Sequence, residues 1–139
     1  MNKKDKYVLD TSALFAFFDK EDGGERVKEL LTDAQKDDKE IIISFATYME
    51  VYYIYFQEQG EQDAINFISL IDALPIKIID SSKRLALKAG DLKAKYKISF
   101  ADSLIIATAV MESAILVHKD PEMEAIENEL EVLKLPYKK

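Results

Sequence analysis

Residues 7–18 read YVLDTSALFAFF, and this stretch decides the fold. Tyr7-Val8-Leu9 is a short, unbroken apolar run, which suits a strand covered on both faces in a parallel sheet. Asp10 ends the run. From Ser12 to about Phe18 the pattern is helical, so the chain passes from buried strand to helix across one acidic residue.

The same alternation continues outward. Ile41-Ile42-Ile43, Ile76-Lys77-Ile78-Ile79 and Ile115-Leu116-Val117 read as further strands, with Val132-Leu133 before Pro136 as a last candidate. Helices are expected from Gly24 to about Asp37, Phe45 to Gln59, Gln62 to about Ala73, Ser82 to Tyr96 and Ala101 to Glu112. Gly60 and Pro75 supply stops. In the 82–96 segment Leu85, Ala89, Leu92 and Tyr96 form one apolar stripe, whereas 101–112 is apolar almost all round, as a central buried helix is. Alternating strands and helices imply an α/β sandwich with a mostly parallel sheet.

At 139 residues the chain fits a single domain spanning 1–139, with a core that needs no staples. Cysteine is absent, and the one histidine, His118, excludes the usual catalytic zinc sets. No apolar run nears the roughly 18 residues of a membrane span, and the start MNKKDKYVLD has no signal-peptide core. A cytoplasmic protein is the expectation. With four glycines and neither GxxxxGK[ST] nor GxGxxG, nucleotide binding by those loops is excluded. The net charge of −7 runs against nucleic-acid binding in bulk, yet an acidic site changes sign locally when it takes up cations. Acids and bases are also segregated: five glutamates and no base lie between Glu122 and Glu131, and Lys83 to Lys97 holds five lysines and an arginine against Asp91 alone.

The informative acids are those set in apolar sequence, because burying a carboxylate is costly without compensation. Asp10 follows Tyr-Val-Leu, Glu50 sits inside the apolar 45–59 segment, Asp102 opens the most hydrophobic helix, and Asp120 follows Ile-Leu-Val-His-Lys. Each alone reads as a cap or turn residue: Asp10 and Asp120 as N-caps, Ser99/Asp102 and Thr47/Glu50 as capping boxes. All four together are harder to explain so. Convergent acids repel, and a hard divalent cation such as Mg²⁺ or Mn²⁺ removes that penalty with oxygen ligands. Asp80 also ends a strand, but the solvated helix after it makes it a cap. Ser12 stands where it could donate to a carboxylate or act as a first-turn serine.

Val-Leu-Asp10-Thr-Ser-Ala-Leu, the mid-chain Glu50, Ser-Phe-Ala-Asp102-Ser-Leu-Ile-Ile-Ala-Thr-Ala and Ile-Leu-Val-x-x-Asp120-Pro-Glu122 together resemble the PIN-domain nucleases, most closely the VapC-type toxins of toxin–antitoxin pairs. The likeness runs over essentially the whole chain in order and spacing. It implies a three-layer α/β/α fold around a mostly parallel sheet of four to five strands, and an acidic site for one or two Mg²⁺ or Mn²⁺ ions. It further implies RNA cleavage, a homodimer and a cognate antitoxin. Asp10, Glu50, Asp102 and Asp120 fall on the acidic positions of that family, Ser12 on its hydroxyl position and Glu122 on a variable acidic one. At His118 such proteins often carry Thr or Ser, a departure that leaves either a structural role or a general base open there.

The chemistry expected is in-line hydrolysis of a phosphodiester. Arg84, Lys88, Lys95 and Lys97 are candidates for guiding RNA, against an ordinary solvated helix face. Tyr48, Tyr52 and Tyr55 recur on the side of their helix away from Glu50, which points to packing, with a dimer contact as the alternative. A phospho-receiver domain lacks its paired acids here, and an Asp-x-Asp phosphatase would need an acid at Ser12. A housekeeping RNA-processing nuclease and a catalytically inactive binding scaffold are the remaining alternatives.

Overall fold

The computed structural model describes residues 5–138. The strands are β1 (Asp5–Leu9), β2 (Lys39–Ser44), β3 (Ile76–Ile79), β4 (Ile115–His118) and β5 (Val132–Lys134). The helices are α1 (Thr11–Phe18), α2 (Gly24–Gln35), α3 (Phe45–Gln59), α4 (Glu61–Asp72), α5 (Lys83–Lys95) and α6 (Phe100–Met111), with a 3-10 helix at Pro121–Ile126. The reading of the chain start falls partly on residues 1–4, outside the described residues.

The five strands form one sheet in the order β3-β2-β1-β4-β5, and every pairing is parallel. Alternation along the strands divides the apolar residues between two faces. Val8, Ile42 and Leu116, which sit in register with one another, pack with α5, α6 and the 3-10 helix. Tyr7, Leu9, Ile41, Ile43 and Val117 pack on the other face with α1 to α4. The result is the three-layer α/β/α arrangement. Each fully buried Ile or Leu adds about 1.5–3 kcal/mol over an exposed one. In α6 every residue from Ser103 to Ala109 is buried, which is why no polar stripe is visible there.

This strand order positions the site. The chain builds β1, β2 and β3 outward on one side of β1, then β4 and β5 on the other, so the connections diverge between β1 and β4. A crevice opens outside the carboxyl ends of two such strands. Asp10 directly follows β1, and Asp120 stands two residues after β4.

Two local readings are corrected. Ser82, not Asp80, caps α5: its hydroxyl accepts from Leu85 N at 3.0 Å, while Asp80 is exposed and accepts from the adjacent Ser81 N. Ser44 caps α3, so Thr47 lies inside the helix and Thr47/Glu50 is no capping box. Asp120 is an N-cap, as its sequence setting allowed, and what it caps is a 3-10 helix over residues 121–126 with Pro121 at its start. Within the tyrosine row, Tyr48 and Tyr55 pack on the core and donate to Asp72 and Asp19.

Gly24 is where α2 meets α1. A Cβ there would lie 2.4 Å from the Ala16 carbonyl oxygen, a backbone atom held within a helix. Gly24→Ala is therefore expected to lower stability by about 1–3 kcal/mol, read as an earlier urea midpoint; an unchanged midpoint would contradict this packing.

Candidate metal centre

Asp10 is 3% exposed. Its Oδ1 accepts from the Ser12 hydroxyl at 2.7 Å and from Ala13 N at 2.8 Å, so the residue caps α1 while facing the crevice. Both donors fall on one oxygen. Oδ2 is thereby left for another partner. The Ser12 hydroxyl in turn accepts from Lys119 N at 2.9 Å, tying the start of α1 to the end of β4.

Burial pushes the Asp10 carboxyl up to about 7; the two hydrogen bonds pull it down, and the charges of Asp102 and Asp120 push it up again. Asp102 lies in the first turn of α6, where Ser99 caps and its hydroxyl accepts from Asp102 N at 3.1 Å. Burial, opposed by Ser99 and assisted by Glu50, Asp120 and Glu122, raises the Asp102 carboxyl to about 6. The carboxylates of Asp102, Asp120 and Glu122 offer oxygens that all lie within 4.8 Å of one another. Asp120 Oδ1 accepts from Glu122 N at 3.0 Å and caps the 3-10 helix. Glu50, half-buried on α3, accepts from the Thr11 hydroxyl at 2.5 Å.

The fold thus brings Asp102, Asp120 and Glu122 into one close group; Asp10 and Glu50 stand outside it, Asp10 bearing by charge on Asp102 and Asp120 and Glu50 on Asp102, with Ser12 on Asp10. Capping and clustering coincide: Asp10 and Asp120 cap helices with the same carboxylates they present to the crevice. Among the described residues, no lysine or arginine forms an ion pair with any of these five acids. An all-carboxylate donor set, partly buried and without a countercharge, suits a hard divalent cation and offers nothing to a soft one.

His118 is wholly buried, which lowers its pKa, and its Nδ1 accepts from Asp120 N at 3.2 Å. The basic candidates are Arg84, Lys88, Lys95 and Lys97. Lys88 and Lys95 both pair with Asp91 on their own helix, at 3.7 and 3.2 Å. Arg84 and Lys97 are exposed, and none of the four is among the main charges acting on Asp10 or Asp102.

Two participants were missed in the sequence. Thr11 orients Glu50 across 39 residues of chain, a contact with no local signal. Lys119, whose side chain is 4% exposed, holds Ser12 with its amide and the Asp22 carbonyl with its Nζ at 2.6 Å. Beside the cluster a cavity of about 590 Å³ is lined by Ser12, Phe15, Ile54, Lys119, Asp120 and Tyr137, among others.

The fold recurs in solved structures. The chain is similar to VapBC2 from Rickettsia felis bound to a DNA fragment from its promoter, with 21% identity, 94% of this chain and 98% of that one covered, and a TM-score of 0.74. DNA-bound VapBC from Salmonella typhimurium gives 18% identity over 94% and 98%, with a TM-score of 0.73. VapC20 from Mycobacterium tuberculosis, a sarcin-ricin loop cleaving toxin, gives 16% identity over 86% and 93%, with a TM-score of 0.66. No curated protein matches the sequence. The PIN domain model matches residues 7–129, the span that carries both strands of the crevice and all the acids beside it, and the chain belongs to the PIN domain family.

Proposed function

We propose that this chain, folded as one domain, is a Mg²⁺- or Mn²⁺-dependent endoribonuclease and the toxin of a toxin–antitoxin pair. The observation that carries the reading is the group of Asp102, Asp120 and Glu122, whose carboxylate oxygens lie within 4.8 Å of one another where the sheet connections diverge, with the charges of Asp10 and Glu50 bearing on Asp102 or Asp120. Asp10, Glu50, Asp102 and Asp120 would hold one or two ions, with Glu122 at the margin. Such an ion supplies a water that is a strong nucleophile near neutral pH and offsets charge on the phosphate.

The chain's own residues do the rest. Ser12 and Ala13 N fix the Asp10 carboxylate through one oxygen and leave the other for the cation. Thr11 holds Glu50 through one carboxylate oxygen in the same way. The cavity beside Ser12 and Asp120 gives the RNA strand room next to the scissile phosphate, and among the described residues Arg84 and Lys97 form no ion pair that would compete with a phosphate. The similarity to VapC20 supports an RNA substrate, and the similarity to VapBC structures supports an antitoxin partner. A homodimer belongs to the same proposal, with Met49, Tyr53 and Phe56 as exposed apolar residues on α3.

The test is cleavage of structured RNAs by pure protein in Mg²⁺, Mn²⁺ or EDTA. Cleavage is expected only with metal; equal cleavage in EDTA would overturn the proposal. Removing a group that orients a ligand costs about 10–100-fold in metal affinity. Thr11→Val is therefore expected to weaken Mn²⁺ binding about tenfold by calorimetry, and wild-type affinity would show that Glu50 needs no such support.

A further inference from the structure

Where the chain leaves the sheet after β4, two backbone N–H groups need new partners, since buried amides are rarely left unpaired. Lys119 N donates to the Ser12 hydroxyl and Asp120 N donates to His118 Nδ1. The second bond links a side chain to the amide two residues on, closing a small turn of the kind Asx and Ser/Thr side chains make. His118 is itself fixed: its carbonyl accepts from Leu135 N at 2.8 Å, its ring is 0% exposed, and the ring centroid lies 6.2 Å from that of Tyr137.

Neither ring nitrogen is available to a substrate. Nδ1 is occupied by the Asp120 amide, which leaves the proton on Nε2, and Nε2 is buried without a partner. An orphan nitrogen of this kind lowers stability, and an apolar side chain of similar size would avoid it. What the imidazole contributes is the acceptor. The turn it closes fixes the Asp120 backbone, from which the carboxylate extends to accept from Glu122 N at 3.0 Å and to meet the oxygens of Asp102 and Glu122 within 4.8 Å.

We propose that His118 is a positioning residue of the acidic site: its Nδ1 holds the Asp120 amide and so aims the Asp120 carboxylate at the cation. The inference rests on the metal-centre reading above. It removes His118 from the proton-transfer steps and gives it the task of shaping the turn.

The experiment compares Mn²⁺ binding, followed by electron paramagnetic resonance, in wild type, His118→Leu and His118→Asn, with thermal melts in EDTA to establish folding. His118→Leu keeps the bulk and loses the acceptor, and a loss of about 10–100-fold in Mn²⁺ affinity is expected. His118→Asn restores an acceptor oxygen close to the place of Nδ1, and an affinity near that of wild type is expected. Should His118→Leu fail to fold, His118→Ser and His118→Ala make the same contrast, because only serine keeps a local acceptor. Wild-type affinity in the variant without an acceptor, or an equal loss in both members of a pair, would overturn the inference. Absence of Mn²⁺ binding in the wild type itself would overturn the metal reading, and the positioning role with it.

Discussion

Asp10→Asn is expected to lose RNA cleavage by about a thousandfold or more, while its metal-free form becomes harder to unfold than the wild type. The first effect follows from removing a charged ligand: an ion that stabilises the transition state by several kcal/mol corresponds to about three decades in rate at about 1.4 kcal/mol each. The second follows from burial. In the unfolded chain the Asp10 carboxyl titrates near 3.8, and in the folded protein near 7. The folded state therefore holds the proton more tightly, and ionising Asp10 there costs up to about 4 kcal/mol once the pH is above both values. Asparagine is uncharged and keeps an oxygen that accepts from Ser12 and Ala13 N. At pH 8 in EDTA the variant is expected to gain about 2–4 kcal/mol in urea unfolding. Retained cleavage, or a variant less stable than wild type under these conditions, would contradict the assignment of Asp10.

The second large effect is a dependence of stability on pH that metal reverses. Asp10 and Asp102 both have folded values raised above the unfolded ones, to about 7 and about 6. For a carboxyl shifted this way the unfolded state releases its proton first, so stability falls as the pH climbs from the unfolded value through the folded one. In EDTA the melting temperature is thus expected to decline between pH 5 and about 7.5. Mn²⁺ and protons compete for the same oxygens, so the ion binds best where the metal-free site is least stable. At a hundred times its dissociation constant a ligand adds about 2.7 kcal/mol. For a chain of this size that is a rise of about 8–10 °C near pH 7.5, shrinking toward pH 5. Calorimetric scans with and without Mn²⁺ check this; parallel curves would mean that these carboxyls do not receive the ion.

Both effects originate in residues that stand out in the sequence for a simple reason. Asp10 and Asp102 lie in runs such as Tyr-Val-Leu-Asp and Phe-Ala-Asp-Ser-Leu-Ile-Ile, where a charge has no local partner. The strands were legible because Ile41-Ile42-Ile43 and Leu116-Val117 are unbroken apolar runs, buried on both faces of the parallel sheet. Helix starts were less so. Asp80 and Ser82 both suit a cap, and the choice depends on where the backbone first turns, which composition does not encode. The 3-10 helix at 121–126 follows a cap and a proline that are visible, but its glutamates hide the burial of Met123 and Ile126.

What the sequence hid most completely are contacts between distant segments. Thr11 on Glu50 and the Lys119 amide on Ser12 depend on how the end of β1, the end of β4 and the body of α3 are brought together. Lys119 looks like a solvated lysine beside Asp120, yet its ammonium is buried on the Asp22 carbonyl. The lysines of α5 stand out by their density, whereas the pairing of both Lys88 and Lys95 with Asp91 on that helix depends on the side-chain geometry.

The most direct test of the carboxylate cluster as a metal centre is calorimetric titration of Mn²⁺ into the wild type and Asp102→Asn at pH 7.5. Saturable binding to the wild type is expected, weakened at least tenfold in the variant, because Asp102 shares one close group of carboxylate oxygens with Asp120 and Glu122. No saturable binding to the wild type, or equal binding to both proteins, would contradict it.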